Sequence, residues 1–541
     1  MRALALLILT IVLPNGWIVR DPHGAMTMTD TMPQGAAASP DGKTLAVVES
    51  GFNPPTLRLY DRNLDQVASI PLKGAFGRPV WRDAGHVLVA GANADAILDI
   101  DTAAQTVRTI VLPKASWPSK IASADGNIVA VATDGDTSVR IGALDTLATV
   151  KAIRIGGLVG GLAFSPDGGT LFASNRSRDY VVALDVKTLR TRKIHTGLHP
   201  TDILPLGNRI YVAESDADSV GVYDGASGRP VAHIFVGDSF LQGQFAGVSP
   251  NALARNGNTI FVSLGAANAI GVIRDDRVVG RYDAGWYPTD IVPIGNRLYV
   301  IDGKGEGTRP NPHNSIAQKP GYNDYIGSIE YGSIRVIDLD AERPGAGNAQ
   351  GALGWQRTRP DPIVRSDGPI KHVVFILKEN RSYDQVLGDV HEGNGDPQLA
   401  WFGQRITPNE HALAKRFGLF DNTFASGEVS DAGHNWADSA FANDYVERSW
   451  PVIYGDRLDD DETLTGEGPG VPRNGYIWQA AVAAHVSFRD YGEATNVPSL
   501  RHLYDTRYPE FNLDISDLVR VKEWRREFIY SEWFGSLWRR A

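Results

Sequence analysis

Apolar and polar positions alternate along the first 340 residues in short runs, each broken by turn residues. The segments SPDGKTLAVVES, RDAGHVLVAGANADAILDID, SADGNIVAVATD and SPDGGTLFASNRSRDYVVALDVKT share one plan: a tight turn, a strand, a short break and a second strand. PLGNRIYVAESDADSVGVYD, RNGNTIFVSLGAANAIGVI and PIGNRLYVIDGK repeat it. Asp-Gly and Asn-Gly supply the backbone dihedrals of tight hairpins, and the β-branched and aromatic residues that follow alternate as half-buried strands do. The turn glycines Gly42, Gly85, Gly126, Gly168, Gly207, Gly257 and Gly295 recur at roughly forty residues, the period of a four-stranded propeller blade. The pattern predicts an all-β, seven-bladed β-propeller over residues 27–340.

Two stretches, HPTDILPLGNRIYV (His199 to Val212) and YPTDIVPIGNRLYV (Tyr287 to Val300), are near copies. Their Pro-Thr-Asp reads as inner-strand turn chemistry rather than as a site. The last blade is interrupted by GKGEGTRPNPHNSIAQKPGYNDYIGSIEYGS, a long Gly-, Pro- and Asn-rich loop that reads either as a lid or as plain surface. From 341 to 368 periodicity is lost and breakers accumulate, as in a linker. A second domain is expected over 369–541. It opens with HVVFILKEN, an apolar run expected as a buried strand of a doubly covered α/β sheet, with Glu379 and Asn380 delivered as oxygen ligands at its C-terminal tip. Oxygen ligands of this kind suit a hard divalent cation.

Composition narrows the chemistry. The chain has 541 residues, is 43% hydrophobic, and carries a net charge of −10. Length favours more than one core, and the spread of acidic residues argues against a nucleic-acid surface built on positive charge. Cysteine is absent, so disulfides and thiolate chemistry are excluded and any metal sits on oxygen or imidazole. Residues 1–16, MRALALLILTIVLPNG, place one arginine before an apolar run too short for the roughly 20 residues of a spanning helix. The run reads as a secretory signal, with a buried first strand as the other reading, so a periplasmic or secreted location is expected. No other stretch is long and apolar enough to span a membrane.

The repeats resemble the surface-layer type of propeller known as the YVTN family, on RIYVAES and RLYVIDG. IKHVVFILKENRSYDQVLG is similar to the opening motif of the bacterial phosphoesterase family of non-specific phospholipase C and related acid phosphatases, within the alkaline phosphatase superfamily. That resemblance implies an alkaline phosphatase-like α/β fold and phosphate ester substrates. It also implies a catalytic divalent metal held by Glu379 and Asn380. The family's next signature is matched by ALAKRFGLFDNTFASGEVSDAGHNWADS, in which Asp421 and Phe424 agree and Ser430 stands near the place of the metal-bound nucleophile, with Ser426 and Thr423 behind it. The family's usual Pro-Asn-Arg is here Gly433, His434, Asn435, which leaves His434 and Asn435 as substrate-binding candidates, or His434 as an ordinary residue of a helix start.

A propeller followed by a phosphoesterase domain resembles a known bacterial fusion, from about Pro14 to FNLDISDLVRVKEWRREF. Members of that superfamily complete the metal site with distal Asp and His residues. His485 in AVAAHVSFRDYG, expected at the end of another core strand, Asp490, and Asp514 and Asp517 in FNLDISDLVR do not reproduce that spacing. The α/β domain is therefore expected to be incomplete and the chain truncated. Two readings follow. One is an exported metal-dependent phosphoesterase fused to a propeller, with zinc, manganese, magnesium, calcium and iron all compatible with the ligands. The other is an envelope propeller that binds a protein or polymer and carries a relic of the enzyme.

Overall fold

Seven four-stranded antiparallel sheets follow one another along the chain. The structure is a computed structural model. It describes residues 24–237, 247–307, 325–345, 367–378, 381–423, 425–458, 469–472 and 475–487, and the backbone of 11–12 and 18–19. The expected signal segment, the blade 7 loop and the expected linker lie largely outside the described residues, and residues 488–541, with Asp490, Asp514 and Asp517, lie wholly outside them.

Blade 1 runs Pro33–Ala38, Thr44–Glu49, Thr56–Asp61 and Gln66–Pro71 from the inside outward. Blades 2 to 6 repeat that order, with inner strands Phe76–Trp81, Pro118–Ser123, Val159–Phe164, Pro200–Leu206 and Pro250–Asn256. Blade 7 takes Pro288–Ile294, Arg297–Asp302 and Tyr331–Asp338 from the end of the repeat, and its outer strand, Met26–Thr31, from the beginning. Inner strands touch their neighbours all the way round, including Pro288–Ile294 against Pro33–Ala38, so the ring is closed.

Burial explains the alternation read from the sequence. Second strands such as TLAVVE sit between two neighbouring blades and are covered on both faces, whereas an outer strand such as TVRTIV is almost wholly exposed. The core is therefore a set of interblade layers. One, between blades 1 and 2, packs Val48, Leu57, Leu59 and Ile70 against Val87, Val89, Leu98 and Ile100. The repeat glycines all fall in the hairpin between first and second strands. Gly126 and Gly257 have φ of 83° and 58°, left-handed values that favour glycine. Gly85 does not adopt such a value, and its N–H donates to Asp83 Oδ1 at 2.8 Å.

Residues Gln356–Ala440 form a separate compact unit, while the described residues from Phe441 on group with the propeller. Within the smaller unit a helix at Tyr383–Leu387 starts with a capping box between Ser382 and Gln385. Further helices span Pro408–Phe417 and Ser430–Ser439. His411 is buried, with Nε2 2.8 Å from Asp389 Oδ1.

Two expectations fail here. The run His372–Lys378 is not a strand, and Val373 and Ile376 are 84% and 70% exposed. A doubly covered strand needs partners on both edges, and no strand is described within this unit. The segment around His485 is likewise no strand: Ile477–Ala483 is a helix, and His485 lies exposed just beyond it.

Candidate functional site

Of the residues singled out from the sequence, Glu379, Asn380 and Phe424 lie outside the described residues. Ser430 is half-buried and is the first residue of the Ser430–Ser439 helix, after Val429 at the cap position. His434 follows one turn later on the same helix face, as an i, i+4 spacing dictates, and is half-buried as well. Asn435 is buried, with its amide donated to the carbonyl of Asp431 at 3.0 Å. Thr423 and Ser426 are exposed, and Asp421 accepts the N–H of Asn394 at 2.8 Å. Among the described residues, no three His, Asp or Glu side chains gather as a metal site.

The denser chemistry lies in the propeller channel. Each inner strand carries a register shift near its start, at Pro33/Gly35, Pro118/Lys120, Pro200/Asp202, Pro250/Ala252 and Pro288/Asp290 among others. Such bulges re-aim side chains. Pro-Thr-Asp occupies two of them and joins blade to blade. Thr201 Oγ1 donates to the carbonyl of Pro250 at 3.0 Å, and Asp202 accepts the N–H of Leu253 at 2.9 Å. Thr289 and Asp290 make the equivalent bonds to Pro33 O (2.7 Å) and Ala36 N–H (2.9 Å). The motif is structural, as its sequence suggested.

A helix from Asp444 to Tyr454 seals the channel region, its Trp450 fully buried. Asn443 caps it by accepting the N–H of Val446. Asp444 Oδ1 receives Asn251 Nδ2 at 3.0 Å, Tyr287 Oη at 3.1 Å and Arg448 Nε at 3.1 Å. Arg448 also donates to the carbonyls of Gln34 and Thr289. Burial works against the charge on Asp444, but Arg448 and Arg176 outweigh it and hold the carboxyl below its usual range. Nearby, Lys304 Nζ lies 2.6 Å from Glu447 Oε2.

Beside this helix opens a cleft of about 560 Å³, bounded by Phe76, Trp117, Lys120, Asp134, Arg176 and Tyr445. Its volume falls within the range of small-molecule sites, roughly 300–1,000 Å³. Trp117 and Phe76 form one wall, their ring centroids 5.1 Å apart. Burial, with Arg176 and Arg448 close by, pushes the Lys120 ammonium down to about 7. Burial pushes Asp134 up to about 6, against the pull of Ser119 and Lys120. Sequence reasoning missed this site. The available signal was Pro118-Ser119-Lys120, which places a lysine at the inner-strand position where the two Pro-Thr-Asp copies place aspartate.

No family model and no curated protein matches the chain. Solved structures similar to it include hydrazine synthase of Kuenenia stuttgartiensis, at 18% identity over 50% of this chain and 93% of the other, with a TM-score of 0.43. A streptogramin B lyase matches at 12% identity over 58% of this chain and 98% of its own, with a TM-score of 0.45. A catalytically inactive virginiamycin B lyase from Staphylococcus aureus, solved with quinupristin, matches at 13% identity over 58% of this chain and 100% of its own, with a TM-score of 0.45. At these values the likeness adds nothing to the seven sheets traced directly.

Proposed function

We propose that the chain is an exported, metal-dependent phosphoesterase carried on a β-propeller, with phosphate monoesters or diesters as substrates. The observation that carries this reading is the run IKHVVFILKENRSYDQVLG, Ile370 to Gly388, with its resemblance to the phospholipase C and acid phosphatase family. The place of Ser430 supports it. A hydroxyl on the first residue of a ten-residue helix stands where backbone N–H groups and the helix dipole favour an oxyanion. Glu379, Asn380 and Ser430 would hold the cation, and an all-oxygen donor set fits a hard divalent ion. When bound, such an ion supplies positive charge beside the hydroxyl and the phosphoryl oxygens. In this reading Ser430 is the nucleophile, and His434, one turn along, orients a substrate oxygen.

The test is hydrolysis of a chromogenic phosphomonoester and phosphodiester by the purified chain, with and without divalent metal, beside Ser430→Ala and Glu379→Ala. Metal-dependent turnover lost in both variants is expected. No turnover above background from a cooperatively folded protein overturns the reading. It would leave the second one, a propeller that binds an envelope protein or polymer, which the self-contained closure of the seven blades favours.

A further inference from the structure

At the inner-strand position where blades 5 and 7 carry the stapling aspartates, blades 1 and 6 carry Gly35 and Ala252, and blade 3 alone of these carries a cation. Asp202 and Asp290 each accept an N–H from a neighbouring blade, but Lys120, at the matching position of blade 3, has nothing with which to accept one. Among the described residues its ammonium makes no hydrogen bond or ion pair, and its contact is the face of Phe76, 5.2 Å away. Arg176 lines the same cleft and is 6% exposed. Its Nε has no hydrogen-bond partner, and Asp444 Oδ2 stands 3.7 Å from Nη2, beyond hydrogen-bond range. The other oxygen of Asp444 is taken by Asn251, Tyr287 and Arg448. A buried guanidinium without acceptors is costly, and the cost is relieved by an anion that meets its planar fork.

Two of the three acidic residues of the lining are engaged elsewhere, and the third, Asp456, stands beside the positive charge of Arg457. Asp95 accepts the N–H groups of Ala115 (2.7 Å) and Trp117 (3.0 Å), and Asp134 accepts Ser119 Oγ at 2.8 Å. What faces the open volume with groups to spare is the Lys120 ammonium, the Arg176 guanidinium and the aromatic rings of Phe76, Trp117 and Tyr445, since Arg457, also of the lining, donates to the carbonyls of Gly51 and Phe52. We propose that this cleft binds a small oxyanion, carboxylate or phosphorus oxyanion, borne on a flat apolar body. Arg176 grips the oxyanion, Lys120 adds the second charge, and the rings hold the body. The inference does not depend on the phosphoesterase reading.

Calorimetric titration of the full chain at pH 6, where Lys120 carries its charge, with benzoate and with phenylphosphonate, which has no ester bond to hydrolyse, tests it, with benzamide as the uncharged control. Saturable one-to-one binding of at least one anion, and none of benzamide, is expected. The arm that binds more tightly identifies which oxyanion the cleft prefers. Lys120→Gln and Arg176→Gln should each weaken binding ~10-fold or more, the loss expected of one charge-assisted hydrogen bond. Lys120 is half-buried and has no hydrogen bond to lose among the described residues, so Lys120→Gln decides the matter if Arg176→Gln fails to fold. Absence of binding by both anions, or affinity unchanged in a folded Lys120→Gln, overturns the proposal.

Discussion

Arg78 meets Asp290 at two points, Nε to Oδ2 at 2.8 Å and Nη2 to Oδ1 at 2.6 Å, and so ties blade 2 to blade 7. The same guanidinium reaches Asp202 of blade 5 at 3.2 Å. One side chain thus joins three inner strands. The two carboxylates outweigh the effect of burial and hold Arg78 firmly protonated.

Removal of Asp290 leaves the Arg78 guanidinium, whose side chain is 39% exposed, with Asp202 as its remaining carboxylate. Asp290→Ala also strips the Ala36 N–H of its acceptor. A loss of about 1–3 kcal/mol is expected, the cost of a lost charge-assisted bond and an unsatisfied buried N–H. Urea unfolding followed by circular dichroism should show a lowered midpoint with an unchanged slope.

The Asp444–Tyr454 helix depends on one carboxylate for much of its anchoring. Asp444→Ala leaves Arg448 and Arg176 facing each other without it. Amide hydrogen exchange across Asp444–Tyr454 should quicken by roughly 100-fold or more, the equivalent of about 3 kcal/mol. Exchange in the second strands of blades 2 and 3 should move far less.

Three buried carboxyls set a pH dependence. Burial raises Asp134 and Asp218 to about 6 and Asp302 to about 8. In each case the folded state holds its proton more tightly than the unfolded chain, whose carboxyls titrate near 4. The stability these protons contribute is complete below pH 4 and is lost as pH rises through 6 and then 8. Scanning calorimetry should therefore give a higher Tm at pH 5 than at pH 8. Asp302 is fully buried and accepts Ser333 Oγ at 3.2 Å. Asp302→Asn should raise the Tm at pH 8 by ~2 °C or more, the effect of about 1 kcal/mol in a protein of this size, and flatten the pH profile.

Lys120, pushed down to about 7, is largely a neutral amine at pH 8, where an ordinary lysine is almost wholly protonated. Brief acylation at pH 8 followed by peptide mass spectrometry should label Lys120 ahead of the exposed Lys43. Arg176→Gln removes a neighbouring positive charge, raises the Lys120 pKa, and should slow that labelling.

The propeller was legible because each blade repeats its own evidence: a turn glycine such as Gly257 or Gly295, then an alternating strand that a neighbouring blade must cover. The partner of Tyr331–Asp338 was not legible, because MTMTDT carries no mark of a strand about 300 residues away. His372–Lys378 misled for a related reason. Hydrophobicity reports a preference for burial, not whether a partner is there to satisfy it. Around His485 a short apolar run fits strand and helix equally, and the helix won. In the cleft, Lys120 looked like one cation among many until the inner strands were aligned. The exposure of Arg176 and the bonds around Asp444 exist only in three dimensions.

The outer strand of blade 7 has a consequence for biosynthesis. Met26–Thr31 is made about 300 residues before the strand it pairs with. At 5–20 residues per second, that is a wait of roughly 15–60 s with an open edge. Asp30 places a charge on that edge, the kind of residue that discourages a waiting strand from pairing with another chain. The ring is thus a clasp fastened last, and its first-made end has to survive a crowded interval before it can lock.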